Sequence, residues 1–71
     1  MRSRTIKDLC GNAYLIKEEN DLTSIFLEVY EIVNIDGKDH QTYLFDIDMS
    51  FDSPDDDILD EIDDVKDQVN D

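Results

Sequence analysis

Apolar and polar residues alternate along much of the first fifty positions, which is the period of β-strands. A first strand is predicted over 13–18, with a turn at 19–21. The segment 24–35 carries apolar residues on both faces, so it is predicted to be the central strand of a sheet. Asp36-Gly37 is typical of a short hairpin turn, because glycine adopts positive φ at little cost.

A third strand is predicted from His40 to Phe51, where the alternation is regular. One face of this strand is apolar and carries Tyr43, Phe45, Ile47, Met49 and Phe51. The other face is more polar and carries Thr42, Leu44, Asp46, Asp48, Ser50 and Asp52. The apolar face is expected to pack on a helix.

The apolar period becomes helical after Ser53-Pro54, residues that are favoured at the N-cap and the first helical position. A narrow apolar stripe contains Ile58, Ile62, Val65 and Val69, with Leu59 on its flank. The opposite stripe is acidic and contains Asp56, Asp60, Asp63, Asp64 and Asp67. The spacing therefore predicts an amphipathic C-terminal helix that covers the sheet.

Near the N-terminus, Thr5 to Leu9 is predicted to form a short helical turn, because Thr5 and Asp8 have the spacing of a weak capping box. Gly11-Asn12 would end it. The predicted fold is α+β, with a short N-terminal helix, a three-stranded antiparallel β-meander and a C-terminal amphipathic acidic helix packed on the sheet. One domain is expected over 1–71. The two free edges of such a sheet leave a homodimer open as an alternative.

Charge changes this picture, since 20 acidic residues stand against 6 basic ones and give a net charge of -14. Residues 1–45 hold 8 acids and 5 bases, whereas residues 46–71 hold 12 acids and 1 base. Such a chain should not bind nucleic acid directly and should avoid anionic membranes. It has no apolar run long enough for a membrane span, and no apolar segment follows the basic N-terminus. A cytoplasmic location is expected.

Residues that commonly carry catalysis are scarce. Cys10 is the single cysteine and is expected to be a small apolar filler in a reducing compartment. His40 is the single histidine and is expected to be exposed beside the hairpin turn. A chain this short has little room for a substrate pocket, and it has neither a phosphate-binding glycine loop nor metal-ligand Cys/His spacing. The chain is expected not to be an enzyme and to need no cofactor.

The acidic stripe carries a cost that solubility alone does not require. Like charges recur at i,i+4, for example at Asp56/Asp60 and Asp63/Asp67, and each such pair destabilises a helix by roughly 0.2–0.5 kcal/mol. Aspartate also outnumbers glutamate, and its short side chain holds the charge close to the backbone. These features predict a preformed negative surface for a partner, made of Asp46, Asp48, Asp52, Asp55, Asp56, Asp57, Asp60, Asp63, Asp64 and Asp67.

In length, in charge and in the segment DIDMSFDSPDDDILDEIDDVKDQ (46–68), the chain resembles small acidic DNA-mimic proteins, many of them encoded by bacteriophages. The resemblance is one of character, since these proteins share no common motif or fold. It implies an inhibitor that occupies the DNA-binding surface of a basic host protein in the host cytoplasm, such as a nucleoid protein, a nuclease or a CRISPR effector. Within the class, its size and layout are most similar to an inhibitor of the nucleoid protein HU.

Three alternatives fit part of the pattern. An antitoxin or immunity protein would use the same charges against a basic toxin. Asp46-x-Asp48-x-Ser50-x-Asp52 with Asp57 superficially follows a calcium-binding loop, but Phe51 occupies the place that requires glycine. The third alternative is that the charge serves solubility alone, with weak calcium association.

Overall fold

The computed structural model describes residues 2–69, with side chains described for residues 2–68. It contains four strands and one helix, namely β1 (Arg2–Lys7), β2 (Ala13–Asn20), β3 (Ile25–Ile35), β4 (Lys38–Ile47) and α1 (Asp55–Val69). The strands form one antiparallel sheet in the order β1-β2-β3-β4, and α1 packs on one face of it. The α+β class and the C-terminal helix on the sheet are therefore confirmed.

The predicted N-terminal helix is wrong, because Arg2–Lys7 forms a strand and the sheet has four strands instead of three. Ile6 pairs with Tyr14 across β1 and β2 and is buried. Asp8 does not cap a helix; its carboxylate accepts hydrogen bonds from the backbone N–H groups of Cys10 and Asn12 and so shapes the β1–β2 turn. The segment has no helical apolar repeat to bury, and its backbone is satisfied by the edge of β2.

The remaining strand predictions agree with the structure to within a few residues at the strand ends. The segments predicted over 13–18 and 24–35 correspond to β2 and β3, and β3 lies inside the sheet between β2 and β4. The hairpin turn is also confirmed, since Asp36 and Gly37 have φ of 54° and 81°. Positive φ at both central residues is the geometry that matches the twist of two antiparallel strands.

A β-bulge in β4 overturns part of the predicted alternation. Val29 lies opposite Phe45, whereas Tyr30 lies opposite Tyr43, so Leu44 is the extra residue. Phe45 and Ile47, after the bulge, face α1 as predicted, whereas Tyr43, before it, faces away from α1 and is 51 % exposed. The strand also ends at Ile47, so the expected continuation to 51 is wrong.

The core lies between the sheet and α1 and comprises Ile6, Tyr14, Ile16, Leu27, Val29, Phe51, Ile58 and Ile62. Ile58 and Ile62 confirm the predicted apolar stripe of the helix, Val65 is half-buried, and the side chain of Val69 is outside the described residues. Each buried aliphatic side chain of this size contributes roughly 1.5–3 kcal/mol. This small core fixes which face of α1 points outward.

Polar contacts hold both ends of α1 on the sheet. At its start, an Arg4 Nη donates to the carbonyl oxygen of Ser53 at 2.7 Å and lies 3.3 Å from the Asp55 carboxylate. At its end, Lys66 Nζ donates to Tyr14 Oη and to Glu31 Oε2, both at 3.0 Å. The hydrogen bond with Tyr14, followed by that with Glu31, raises the pKa of Lys66 above its ordinary value. The helix is thereby fixed to the sheet by polar contacts at both ends, in addition to its apolar packing.

Across residues 2–69, no helix has the length and apolar character that crossing a membrane requires.

Candidate functional site

The outward side of α1 is a row of exposed carboxylates, called here the helix face. It comprises Asp56, Asp57, Asp60, Glu61, Asp63, Asp64 and Asp67. Because Ile58 and Ile62 are buried against the sheet, these acids point to solvent. Within residues 2–69, none of the seven forms a salt bridge with a basic side chain of the same chain. The seven carboxylates are therefore exposed and not salt-bridged within the described residues, which leaves them accessible to an external partner.

Two of the predicted site residues lie beside the helix face but are already paired. Asp52 lies 3.3 Å from an Arg2 Nη, and Asp55 lies 3.3 Å from an Arg4 Nη. Both arginines also lie over the Phe51 ring, at 4.3 Å and 4.9 Å from its centroid. The basic N-terminus thus neutralises the acids that precede the helix face.

The structure does not bring Asp46 next to the helix face. Asp46 lies opposite Glu28 in the β3–β4 pairing, on the sheet face that points away from α1. Asp48 follows the end of β4 and lines a shallow depression that also contains Arg2 and Glu18. The ten predicted carboxylates therefore divide into a helical group and a group on the sheet and its exit.

Sequence reasoning did not identify a second surface, the sheet face opposite α1, called here the open sheet face. Two cross-strand rows lie at its centre. One row contains Leu15, Tyr30 and Tyr43, and the next contains Lys17, Glu28 and Asp46. At one end, Phe26 lies opposite Glu19. The rings of Tyr30 and Tyr43 meet edge to face with centroids 5.6 Å apart. Lys17 Nζ lies 4.8 Å from the centroid of the Tyr30 ring.

The open sheet face has an excess of negative potential. The hydrogen bond with Asp46, together with burial and nearby negative charge, raises the pKa of Tyr43 to about 12. Burial and the neighbouring carboxylates raise the pKa of Tyr30. Burial, followed by a hydrogen bond with Glu19 and its charge, raises the pKa of Glu28. All three shifts favour the protonated form, as expected where carboxylates outnumber cations.

A metal site receives no support from the geometry. No cluster of three or more His, Cys, Asp or Glu side chains within the described part of the chain is arranged to hold an ion. The proposed calcium loop is divided, since Asp46 belongs to β4 and Asp57 to α1.

The single cysteine and the single histidine, neither of them expected to be catalytic, have different outcomes. Cys10 is exposed in the β1–β2 turn, so the expectation that it fills the core is wrong. His40 is exposed near the hairpin turn, as predicted.

Comparison with known proteins gives no relative. No family model matches the chain, and no curated protein or solved structure was found to be similar.

Proposed function

We propose that this protein is a DNA-mimic inhibitor of the kind that bacteriophages encode. Its helix face binds the basic DNA-binding surface of a host protein and competes with DNA. An HU-like nucleoid protein is the favoured partner, and a nuclease or a CRISPR effector is the alternative. The observation that carries the proposal is the row of seven exposed carboxylates on one anchored helix, none of them paired within residues 2–69.

The charge density of the helix face supports this proposal. Asp56 and Asp67 are separated by eleven residues of helix, or about 16 Å at about 1.5 Å per residue. The seven charges from Asp56 to Asp67 span six intervals, so they recur on average about every 2.7 Å along the axis. One DNA strand carries a charge about every 3.4 Å and the duplex about every 1.7 Å, so the helix face lies between the two.

The placement of the cations supports it as well. Arg2, Arg4 and Lys66 are engaged with acids outside the helix face, and Lys17 lies over an aromatic ring on the other side of the sheet. Lys7 is the exception, since it lines a shallow depression with Asp56, Asp60 and Asp63, but the seven carboxylates of the helix face remain in excess over it. Attraction between a negative surface of this kind and a basic partner speeds association and makes the association rate dependent on salt concentration.

Two triple variants of equal charge test the proposal. The first removes charge from the helix face with Asp60→Asn, Asp63→Asn and Asp64→Asn. The matched control removes the same charge away from the helix face, with Asp21→Asn and Asp36→Asn in strand connections and Asp39→Asn at the start of β4. The measurement is displacement of a labelled DNA duplex from a purified HU protein, followed by fluorescence anisotropy over a series of salt concentrations.

The helix-face triple is expected to inhibit about tenfold less well, since three exposed charge pairs of about 0.5 kcal/mol each total about 1.5 kcal/mol. The control is expected to stay close to wild type. An equal loss of inhibition in both triple variants would show that net charge alone, and not the helix face, determines inhibition. A partner captured from lysate that DNA fails to displace, such as a basic toxin, would favour the antitoxin alternative instead.

A further inference from the structure

The open sheet face carries more apolar and aromatic surface than an exposed sheet face needs. Its side chains Leu15, Phe26, Tyr30 and Ile32 are half-buried, and Tyr43 is exposed. No element within residues 2–69 covers them, because α1 packs on the opposite face. In an antiparallel sheet with one solvated face, the side chains on that face are commonly polar. Here the apolar rows are instead flanked by carboxylates.

This face already holds a cation. Lys17 Nζ lies 4.8 Å from the centroid of the Tyr30 ring, within the range of a cation–π contact. The same cross-strand row continues from Lys17 to Glu28 and Asp46. Glu19, beside Phe26, adds a third carboxylate. Aromatic faces with adjacent carboxylates, more negative than one lysine can balance, are suited to a further ammonium or guanidinium group.

Charge also decides between possible occupants of this face. A second copy of the chain carries the same net charge of -14 and would bring its own carboxylates against these. A basic protein segment brings the complementary charge. Its long side chains would also cover apolar surface with their aliphatic stems while the charged ends reach the carboxylates.

We infer that the open sheet face is a second docking surface, which takes a lysine or arginine side chain from an extended basic segment of a protein partner. The cation lies against Tyr30 and Tyr43 with Glu28 and Asp46 beside it, and the stem lies on the row of Leu15. The inference rests on the proposed function only in taking the partner to be basic.

The two docking surfaces lie on opposite sides of a thin molecule. The shortest dimension of the protein is 21 Å. An extended segment rises about 3.3 Å per residue, so a flexible basic arm of at least about seven residues is needed to reach from one surface to the other. Engagement of both surfaces by one partner would raise its affinity through effective concentration.

A variant of Lys17 gives the sharpest test, because the Lys17 ammonium already occupies the Tyr30 ring where the partner's cation is proposed to bind. The probe is a short peptide of alternating lysine and arginine, titrated into ¹⁵N-labelled protein that carries the helix-face triple. In that background, Lys17→Gln should tighten peptide binding about two- to fivefold, the range of an exposed cation–π contact. The matched control Lys38→Gln removes the same charge at the far end of the sheet and should change binding less.

The position of binding is read from the amide shifts. Peptide-induced shifts are expected on the middle of β2, β3 and β4, and Tyr30→Leu should abolish the gain that Lys17→Gln produces. Circular dichroism confirms that each variant is folded. Equal effects of the two lysine variants, or shifts confined to α1, would overturn the inference. So would sedimentation data showing that a second copy covers this face in the absence of peptide.

These results are separable from the proposed function. Loss of DNA displacement by the helix-face triple tests the proposed function, whereas peptide-induced amide shifts on the open sheet face test the second docking surface, and either result can occur without the other. Each of the two surfaces is therefore tested by its own measurement.

Discussion

At the scale of single residues, Tyr43 shows how one inserted residue changes the chemistry of a surface. The bulge at Leu44 places the Tyr43 ring beside Tyr30 on the open sheet face instead of under α1. There hydrogen bonding to the Asp46 carboxylate, together with burial and nearby negative charge, raises the pKa of Tyr43 from 10.0 to about 12. The raised value means that its stabilising effect is complete below pH 10.0 and is lost as pH rises through about 12.

Asp46→Asn is expected to lower the pKa of Tyr43 towards 10.0, because it removes both the charged acceptor and its negative field. The measurement is a titration of tyrosinate absorbance at alkaline pH, with Tyr43→Phe identifying which of the three tyrosines titrates last. Glu18→Gln serves as a control of equal charge on the helix side of the sheet. An unchanged Tyr43 titration in Asp46→Asn would show that Asp46 is not its partner.

At the scale of elements, α1 is held by contacts at both ends as well as by its apolar stripe. Arg4 fixes its first turn to β1, and Lys66 fixes its last turn to Tyr14 and Glu31. These anchors matter because like-charge pairs along the helix oppose its formation. The sheet therefore supplies the stability that the acidic sequence of the helix does not.

Lys66→Met is expected to destabilise the protein by about 1–2 kcal/mol, because two hydrogen bonds are lost and Glu31 is left without its cation. The measurement is urea unfolding followed by circular dichroism. Lys38→Met, at the exposed start of β4, is the control and should change the unfolding free energy by less than about 0.5 kcal/mol. Equal unfolding midpoints for the two variants would contradict the anchoring role.

At the scale of the whole molecule, stability depends on pH in two opposite ways. Burial and the charge of Glu19 raise the pKa of Glu28 above 4.5, so its favourable contribution is complete below pH 4.5 and is lost as pH rises through the folded value. Burial tends to raise the pKa of Asp8, but hydrogen bonds from Asn12, Cys10 and Tyr14 bring it below 3.8. Its contribution is present above pH 3.8 and is lost as pH falls through the folded value.

The free energy of unfolding is therefore expected to rise as pH falls from neutral towards 4.5, and to decline below 3.8. Urea midpoints over this range measure the effect. Glu28→Gln should reduce the rise in unfolding free energy between neutral pH and 4.5, and Asp8→Asn should reduce the decline below pH 3.8. Neither variant should alter the pH range governed by the other residue. A wild-type midpoint that falls continuously from neutral pH would contradict the assigned signs.

Local chemistry was sufficient to predict several elements. The period of apolar residues predicted β2, β3 and α1, and Asp36-Gly37 predicted the hairpin, because each signal is complete within a few neighbouring residues. The acidic helix face follows from the same period, since the burial of Ile58 and Ile62 leaves the aspartates outside.

Only the tertiary structure decided the rest. β1 exists because the edge of β2 satisfies its backbone, and that partner is not visible in the six residues themselves. The bulge at Leu44 depends on the register between β3 and β4, which packing against the core sets. The open sheet face arises where β2, β3 and β4 align distant residues in cross-strand rows. The sequence determined which segments fold and where their charge lies, whereas long-range pairing determined which side chains share a surface.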